Sequence, residues 1–220
     1  MKNQFWKKLI IPIVILLFPV VLWLVLVTGH NHFKTLPILG PIEISASGDT
    51  IYHSIPEFSF TNQNGEVVGS RNSEDQIYVA NFFFSTCKTV CPKMNEQMGK
   101  VQYAFKENDK LHIYSFTVDP ETDSVPVLAA YAEKMRADNS KWWFLTGDKE
   151  KIYTLAREGF LVPAAQGTKD DDFFHSQDII LIDKQKHIRG VYDGTEPNEV
   201  DSLIDHMKLL LEEYRLKKVK

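Results

Sequence analysis

The chain has 220 residues, of which 44% are hydrophobic, 25% charged and 12% aromatic, with a formal net charge of −4. These fractions exclude a disordered or collagen-like chain, and the length suits one domain plus an appendage. Without a dominant basic patch a nucleic-acid partner is not expected, and two cysteines are too few for a disulfide-stapled miniprotein or a Cys-rich zinc module.

Hydrophobicity is concentrated at the start. From Leu9 to Val27 no charged residue occurs, and Lys2, Lys7 and Lys8 precede the run. Its length is near the ~20 residues that cross a bilayer as a helix, and the flanking lysines keep the N-terminus in the cytoplasm. The reading is a cytoplasmic segment 1–8, a transmembrane anchor 9–28, a tether 29–54 and an exported domain 55–216. A cleaved signal peptide is the alternative, with Val27-Thr28-Gly29 a fair cleavage site. Without the three leading lysines the chain carries 22 basic and 29 acidic residues. Within the tether, His30 and His32 read either as a metal-binding pair or as solvated histidines.

The domain opens on a hairpin signal, with Phe58-Ser59-Phe60 and Glu66-Val67-Val68 flanking Asn62-Gln63-Asn64-Gly65. Residues 77–84 are nearly continuous apolar sequence, as in a strand buried on both faces. Val90, Met94, Met98, Val101 and Phe105 then recur at helical spacing. A second buried strand spans Leu111 to Val118, and a helix starts at Ser124, with Pro126 tolerated in its first turn. Trp142 to Leu145 reads as a strand, and Asp148 opens a helix that Gly159 stops. Residues 163–172 form a polar loop. Ile179 to Ile182 and Ile188 to Tyr192 make a hairpin, and a last amphipathic helix runs from Val200 to Tyr214. This order predicts an α/β fold, a thioredoxin-like mixed sheet flanked by helices with an N-terminal β-hairpin extension.

Both cysteines fall on one strand-to-helix junction, Cys87-Lys88-Thr89-Val90-Cys91-Pro92. Residues i and i+4 share a helix face, so the sulfurs can converge, and a helix N-terminus favours thiolate. Such a pair binds a soft metal or forms a disulfide; a pair of packing cysteines is the bland alternative. Among seven histidines, His175 follows the polar loop and precedes a buried strand. It reads as a third ligand or as an ordinary surface or core histidine. Two thiolates and an imidazole suit Cu(I) and are poor for structural zinc. Met94 and Met98 share the helical stripe and read as core filling, although a thioether can also ligate Cu(I).

Phe84-Ser85-Thr86-Cys87-Lys88-Thr89-Val90-Cys91-Pro92, Val118-Asp119-Pro120-Glu121-Thr122-Asp123, Phe174-His175-Ser176 and Leu181-Ile182-Asp183 resemble the motifs of the Sco (SenC) family. The resemblance covers about residues 55–212. It implies a membrane-tethered, thioredoxin-like copper chaperone for cytochrome c oxidase, with Cys87, Cys91 and His175 as ligands of Cu(I) or Cu(II). It also implies delivery of copper to the Cu-A site of oxidase subunit II, or reduction of that site's cysteines. Other copper chaperones or thiol reductants are expected as further partners. The absence of an Arg- and Ser-rich transit segment before the anchor favours a bacterial cytoplasmic membrane, with the domain outside. The acidic motif maps to Asp119 and Asp123; Asp119 takes a secondary role near the copper, and Asp123 reads equally as an acidic residue at a helix N-terminus. Lys88 departs from the proline usual after the first cysteine, which removes no ligand.

Three other functions share parts of this pattern. A thiol–disulfide oxidoreductase, with Cys87 and Cys91 as its redox dithiol, is the main alternative, although such enzymes use a two-residue spacer. A peroxiredoxin wants Thr where Phe84 stands. A purely structural role leaves the dithiol unexplained.

Overall fold

The computed structural model describes residues 15–21, 23, 35–109, 111–162 and 176–217. The described part divides into a unit within Met1–Lys34 and a unit from Thr35 onward. In the first, residues 15–21 and 23 are helical, with Leu16, Phe18 and Trp23 exposed. Among the described residues no helix is long and apolar enough to cross a membrane. Most of the Leu9–Val27 run, with His30 and His32, lies outside them.

The second unit begins with the hairpin of β1 (Ile42–Ile44) and β2 (Thr50–Tyr52), a two-stranded sheet. A seven-stranded sheet follows, built from β3 (Ser59–Asn62), β4 (Val67–Gly69), β5 (Ile77–Phe83), β6 (Leu111–Thr117), β7 (Trp142–Thr146), β8 (Asp178–Ile182) and β9 (Ile188–Asp193). Its order is β4-β3-β7-β6-β5-β8-β9. The pairs β5–β6 and β6–β7 are parallel, and the flanking pairs are antiparallel. The helices are α1 (Val90–Ala104), α2 (Val125–Met135), α3 (Lys149–Thr154) and α4 (Pro197–Lys217). The expected mixed α/β sheet, parallel in its middle, is therefore present.

Alternation along β5 shows why the sheet needs cover on both sides. Ile77, Val79 and Phe83 join Met94, Met98 and Val101 of α1, Leu128 of α2 and Leu203 of α4 in one core. Tyr78, Ala80 and Phe82 face the other way, onto Phe58, Phe116, Ile152 of α3 and Phe160. Successive strand side chains point to opposite faces, so one apolar run serves both layers.

Two local readings are refined. Asp148 caps α3 by accepting from the Lys151 N–H at 2.9 Å. The helix then widens into a π-type turn at Leu155–Gly159, where Phe160 N–H reaches Leu155 O at 2.9 Å. Ser124 stands at the N-cap of α2, but its hydroxyl makes no capping bond.

The segment read as a tether is partly folded. Besides carrying β1 and β2, residues 35–54 pack on the domain. Leu39 bridges Ile188, and His53 Nε2 lies 2.7 Å from Gly159 O. Arg189, 5% exposed, donates to Leu36 O at 2.6 Å and Pro37 O at 3.1 Å. The same guanidinium reaches Asp183 at 2.9 Å and Glu213 at 3.2 Å.

Candidate metal and redox centre

The site lies where the sheet changes its direction of growth. From β5 the chain moves to β6 and β7 on one side, while β8 and β9 occupy the other. Clefts of open α/β sheets form outside the carboxyl ends of strands at such a point. The parallel register pairs Phe83 with Thr117, so β5 and β6 end together. Only residues 84–89 separate β5 from α1.

Within that short loop, Cys87 N–H returns to Phe84 O at 3.2 Å. Thr89 occupies the N-cap of α1 but makes no side-chain cap bond. The Cys87 sulfur takes the vacant capping role, accepting the Cys91 N–H at 3.4 Å. The first N–H groups of a helix lack intrahelical partners and carry partial positive charge, so they suit an anionic acceptor.

The two thiols differ sharply. Burial alone would push the Cys87 thiol up, but hydrogen bonds from the backbone at Cys91, Thr89 and Val90 and from the Cys91 side chain bring it down to about 7. Burial pushes Cys91 up to about 12; the Cys87 side chain adds to that rise, and the Phe84 backbone only partly opposes it. Cys87 is half-buried and Cys91 is 5% exposed, and both are free thiols. The pair is thus one accessible thiolate over one interior thiol.

Asp123 lies beneath the loop at 0% exposure. Its carboxylate accepts the Ser85 N–H at 3.1 Å, the Ser85 hydroxyl, and the Thr117 hydroxyl at the end of β6. Thr117 Oγ1 in turn accepts the Asp119 N–H at 3.0 Å, which commits its own proton to Asp123. Asp119 sits in the turn after β6, where its carbonyl accepts the N–H groups of Thr122 and Asp123. Its side chain is 8% exposed and contributes a negative charge near Tyr153.

Behind Cys91, Tyr131 of α2 stacks on Phe83 with centroids 5.3 Å apart. Its Oη accepts from Asn95 Nδ2 at 2.7 Å. Burial first, and then the cysteines after the Asn95 bond, set the Tyr131 hydroxyl up at about 12. Met94 and Met98 are fully buried among apolar side chains, which fits their reading as core filling.

The structure therefore brings Cys87 and Cys91 together and sets Asp123 under their loop. His175 lies outside the described residues. The described chain resumes at Ser176, and the antiparallel pair Asn81–Ile179 puts the start of β8 at the sheet end that carries the dithiol. Among the described residues no group of three His, Cys, Asp or Glu side chains could hold a metal. Sequence reasoning missed Ser85 and Thr117 as partners of Asp123, and Asn95 as the partner of Tyr131. The one available signal for Asn95 was its spacing: it stands four residues after Cys91 and so shares a helix face with it.

Residues 48–212 match the model of the family described as SCO1/SenC. The chain is 29% identical over 162 residues to the SCO1 protein homolog of Bacillus subtilis (strain 168), covering 73% of this chain and 84% of that protein. It is similar to the crystal structure of a SCO1/SenC family lipoprotein from Bacillus anthracis str. Ames, with a TM-score of 0.66, 31% identity, and 72% and 95% of the two chains covered. Arabidopsis thaliana ScoI, solved with copper bound, matches with a TM-score of 0.57 at 25% identity, over 71% of this chain and 98% of that one. The Sco family is one of cytochrome c oxidase assembly proteins, and a disulfide switch has been identified in its member BsSco.

Proposed function

The chain belongs to the SCO1/SenC family, and from that membership and the form of its dithiol we propose that it is a membrane-anchored copper-binding assembly factor of cytochrome c oxidase. Its cargo is copper, held by Cys87, Cys91 and His175, and its target is the Cu-A site of oxidase subunit II. The observation that carries this reading is the pairing of the two cysteines at the mouth of α1, where the Cys91 N–H meets Cys87 Sγ at 3.4 Å and the two thiols share a side-chain hydrogen bond. Soft thiolates select Cu(I), and a thiol lowered to about 7 presents a thiolate at neutral pH without a strong base. His175 directly precedes Ser176 in the sequence, and the described chain from Ser176 leads into the start of β8 at the sheet end that holds the sulfurs. Asp119 follows β6 at the same end and takes a secondary role.

Anchoring rests on the apolar run Leu9–Val27 behind its three lysines. By the positive-inside rule, that arrangement supports a domain on the extracytoplasmic side of a bacterial cytoplasmic membrane.

The inequality of the thiols favours a second role for the same pair. Cys87 attacks a partner disulfide as thiolate, and Cys91 then displaces the partner sulfur. Two electrons and two protons pass to the partner as the Cys87–Cys91 bond forms. Reduction of the Cu-A cysteines and thiol–disulfide exchange in general both use this step.

Anaerobic Cu(I) titration of the reduced full chain in detergent tests the copper reading. One tightly held copper per chain, lost when the pair is oxidised and weakened in His175→Ala with an unchanged thermal midpoint, is expected. No copper retained by fully reduced protein overturns the metal reading and leaves the oxidoreductase.

A further inference from the structure

We infer that Asp123 is a positioning residue for the dithiol: through Ser85 and Thr117 it fixes the loop that aims the first N–H groups of α1 at the Cys87 sulfur. The inference rests on the reading of Cys87 and Cys91 as the working pair, and it concerns a residue that touches neither sulfur.

A carboxylate only accepts hydrogen bonds, and Asp123 receives three, from the Ser85 N–H, the Ser85 hydroxyl and the Thr117 hydroxyl. Bonds to an ionised acceptor are about twice as strong as neutral ones. No cation of the described residues is paired with this carboxylate, so these donors and its own surroundings hold it in the interior.

The geometry gives the bonds a direction. Thr117 is the last residue of β6 and lies in register with Phe83, the last residue of β5. Ser85 is two residues beyond Phe83 and two before Cys87. One buried side chain, 38 residues beyond Ser85 along the chain, thus ties the departing loop to the end of the neighbouring strand. The tie is made just before the Cys87 N–H to Phe84 O contact that turns the loop into α1.

The tie also bears on function. The Cys91 N–H at the start of α1 donates to the Cys87 sulfur at 3.4 Å in the reduced pair, and a disulfide sulfur is a poorer acceptor of that bond. Loosening the loop therefore weakens the dithiol and leaves the disulfide nearly untouched. Asparagine at position 123 would turn an amide N–H₂ toward one of the donating groups, while Ser85→Ala would remove one bond and keep the backbone one.

The test is the reduction potential of the metal-free full chain in detergent, measured against a glutathione or dithiothreitol buffer, beside thermal midpoints. Arg189→Leu serves as a structural control, because Arg189 binds Leu36, Pro37, Asp183 and Glu213 and none of the groups around Cys87. Asp123→Asn is expected to shift the dithiol–disulfide equilibrium about tenfold toward the disulfide, equal to about 30 mV. Ser85→Ala is expected to shift it about threefold in the same direction, and it keeps the test open if Asp123→Asn does not fold. Arg189→Leu lowers the thermal midpoint without moving the potential. An unmoved potential in Ser85→Ala together with any folded Asp123→Asn, or an equal shift in Arg189→Leu, overturns the inference and leaves Asp123 a purely structural residue. Cu(I) affinity is read separately on the same proteins. A wild type that takes up no copper counts against the copper reading alone, because the metal-free potentials still decide the role of Asp123.

Discussion

The Cys91 N–H donates to the Cys87 sulfur at 3.4 Å, so one cysteine caps the helix that carries the other. A thiol in a capping position is exposed to the helix field, while its partner one turn later points into the core. Residue type and spacing are shared by the two; surroundings separate them.

That separation predicts selective alkylation. Cys87 lies at about 7 and Cys91 at about 12. The thiolate is the reactive form, so the rate of carboxymethylation by iodoacetate rises with pH through about 7 and levels off near pH 8. Limited reagent at pH 7.5 labels Cys87 alone. Peptide mapping after partial labelling checks this, and equal labelling of both cysteines would contradict the assigned environments.

His112 predicts an acid-sensitive fold. It is 8% exposed and stacks on Trp143 with centroids 4.4 Å apart, and its Nδ1 is buried without a partner. Burial, with the Lys141 charge beside it, holds the imidazole down at about 4; a hydrogen bond to the Lys141 backbone acts weakly the other way. Between about 4 and 6.5 the unfolded chain binds the proton and the folded chain does not. Stability is therefore full above 6.5 and falls as pH drops toward 4, by about 2 kcal/mol between pH 7 and pH 5. Urea unfolding of wild type and His112→Phe at both pH values measures it. The variant is expected to lose that part of the pH dependence.

Arg189 predicts a large cost for a single truncation. Asp183 is 1% exposed and relies on this guanidinium at 2.9 Å, with His187 Nδ1 more distant at 3.5 Å. Removing one partner of a buried ion pair leaves the other charge uncompensated, at about 3–5 kcal/mol. Arg189→Leu is expected to lose that much in urea unfolding, and it also releases the carbonyls of Leu36 and Pro37. The N-terminal part of the domain then becomes more open to proteolysis, which limited trypsin digestion reads directly.

Gly194 predicts a packing limit beneath the site. A Cβ there would lie 2.7 Å from Met94 Cγ and 2.9 Å from Ile179 side-chain carbons. Met94 and Ile179 are fully buried, so neither can swing into solvent. Overpacking of this kind costs about 1–3 kcal/mol. Gly194→Ala is expected to lower the thermal midpoint by roughly 2–4 °C for each kcal/mol lost. An unchanged midpoint would show that α1 and β9 can part without cost.

What the sequence determined by itself was everything that burial writes as a repeated pattern. The apolar run of 77–84, the stripe from Val90 to Phe105 and the hairpin at 179–192 each record contact with a core, and each appears as β5, α1 or the β8–β9 pair. The place of the dithiol followed, because both cysteines stand where one pattern changes to the other. Tertiary structure alone decided what leaves no repeat. The strands Ile42–Ile44 and Thr50–Tyr52 are three residues each and exposed, too short and too wet to show a period. Arg189 finds Leu36 and Pro37 more than 150 residues away, and Asp123 finds Ser85 across 38. Such polar ties join single residues from distant parts of the chain, and no local window contains both ends. The unequal thiols belong to the same class: Cys87 and Cys91 are identical as letters, and only the fold buries one of them and hands the other to the N–H groups of a helix.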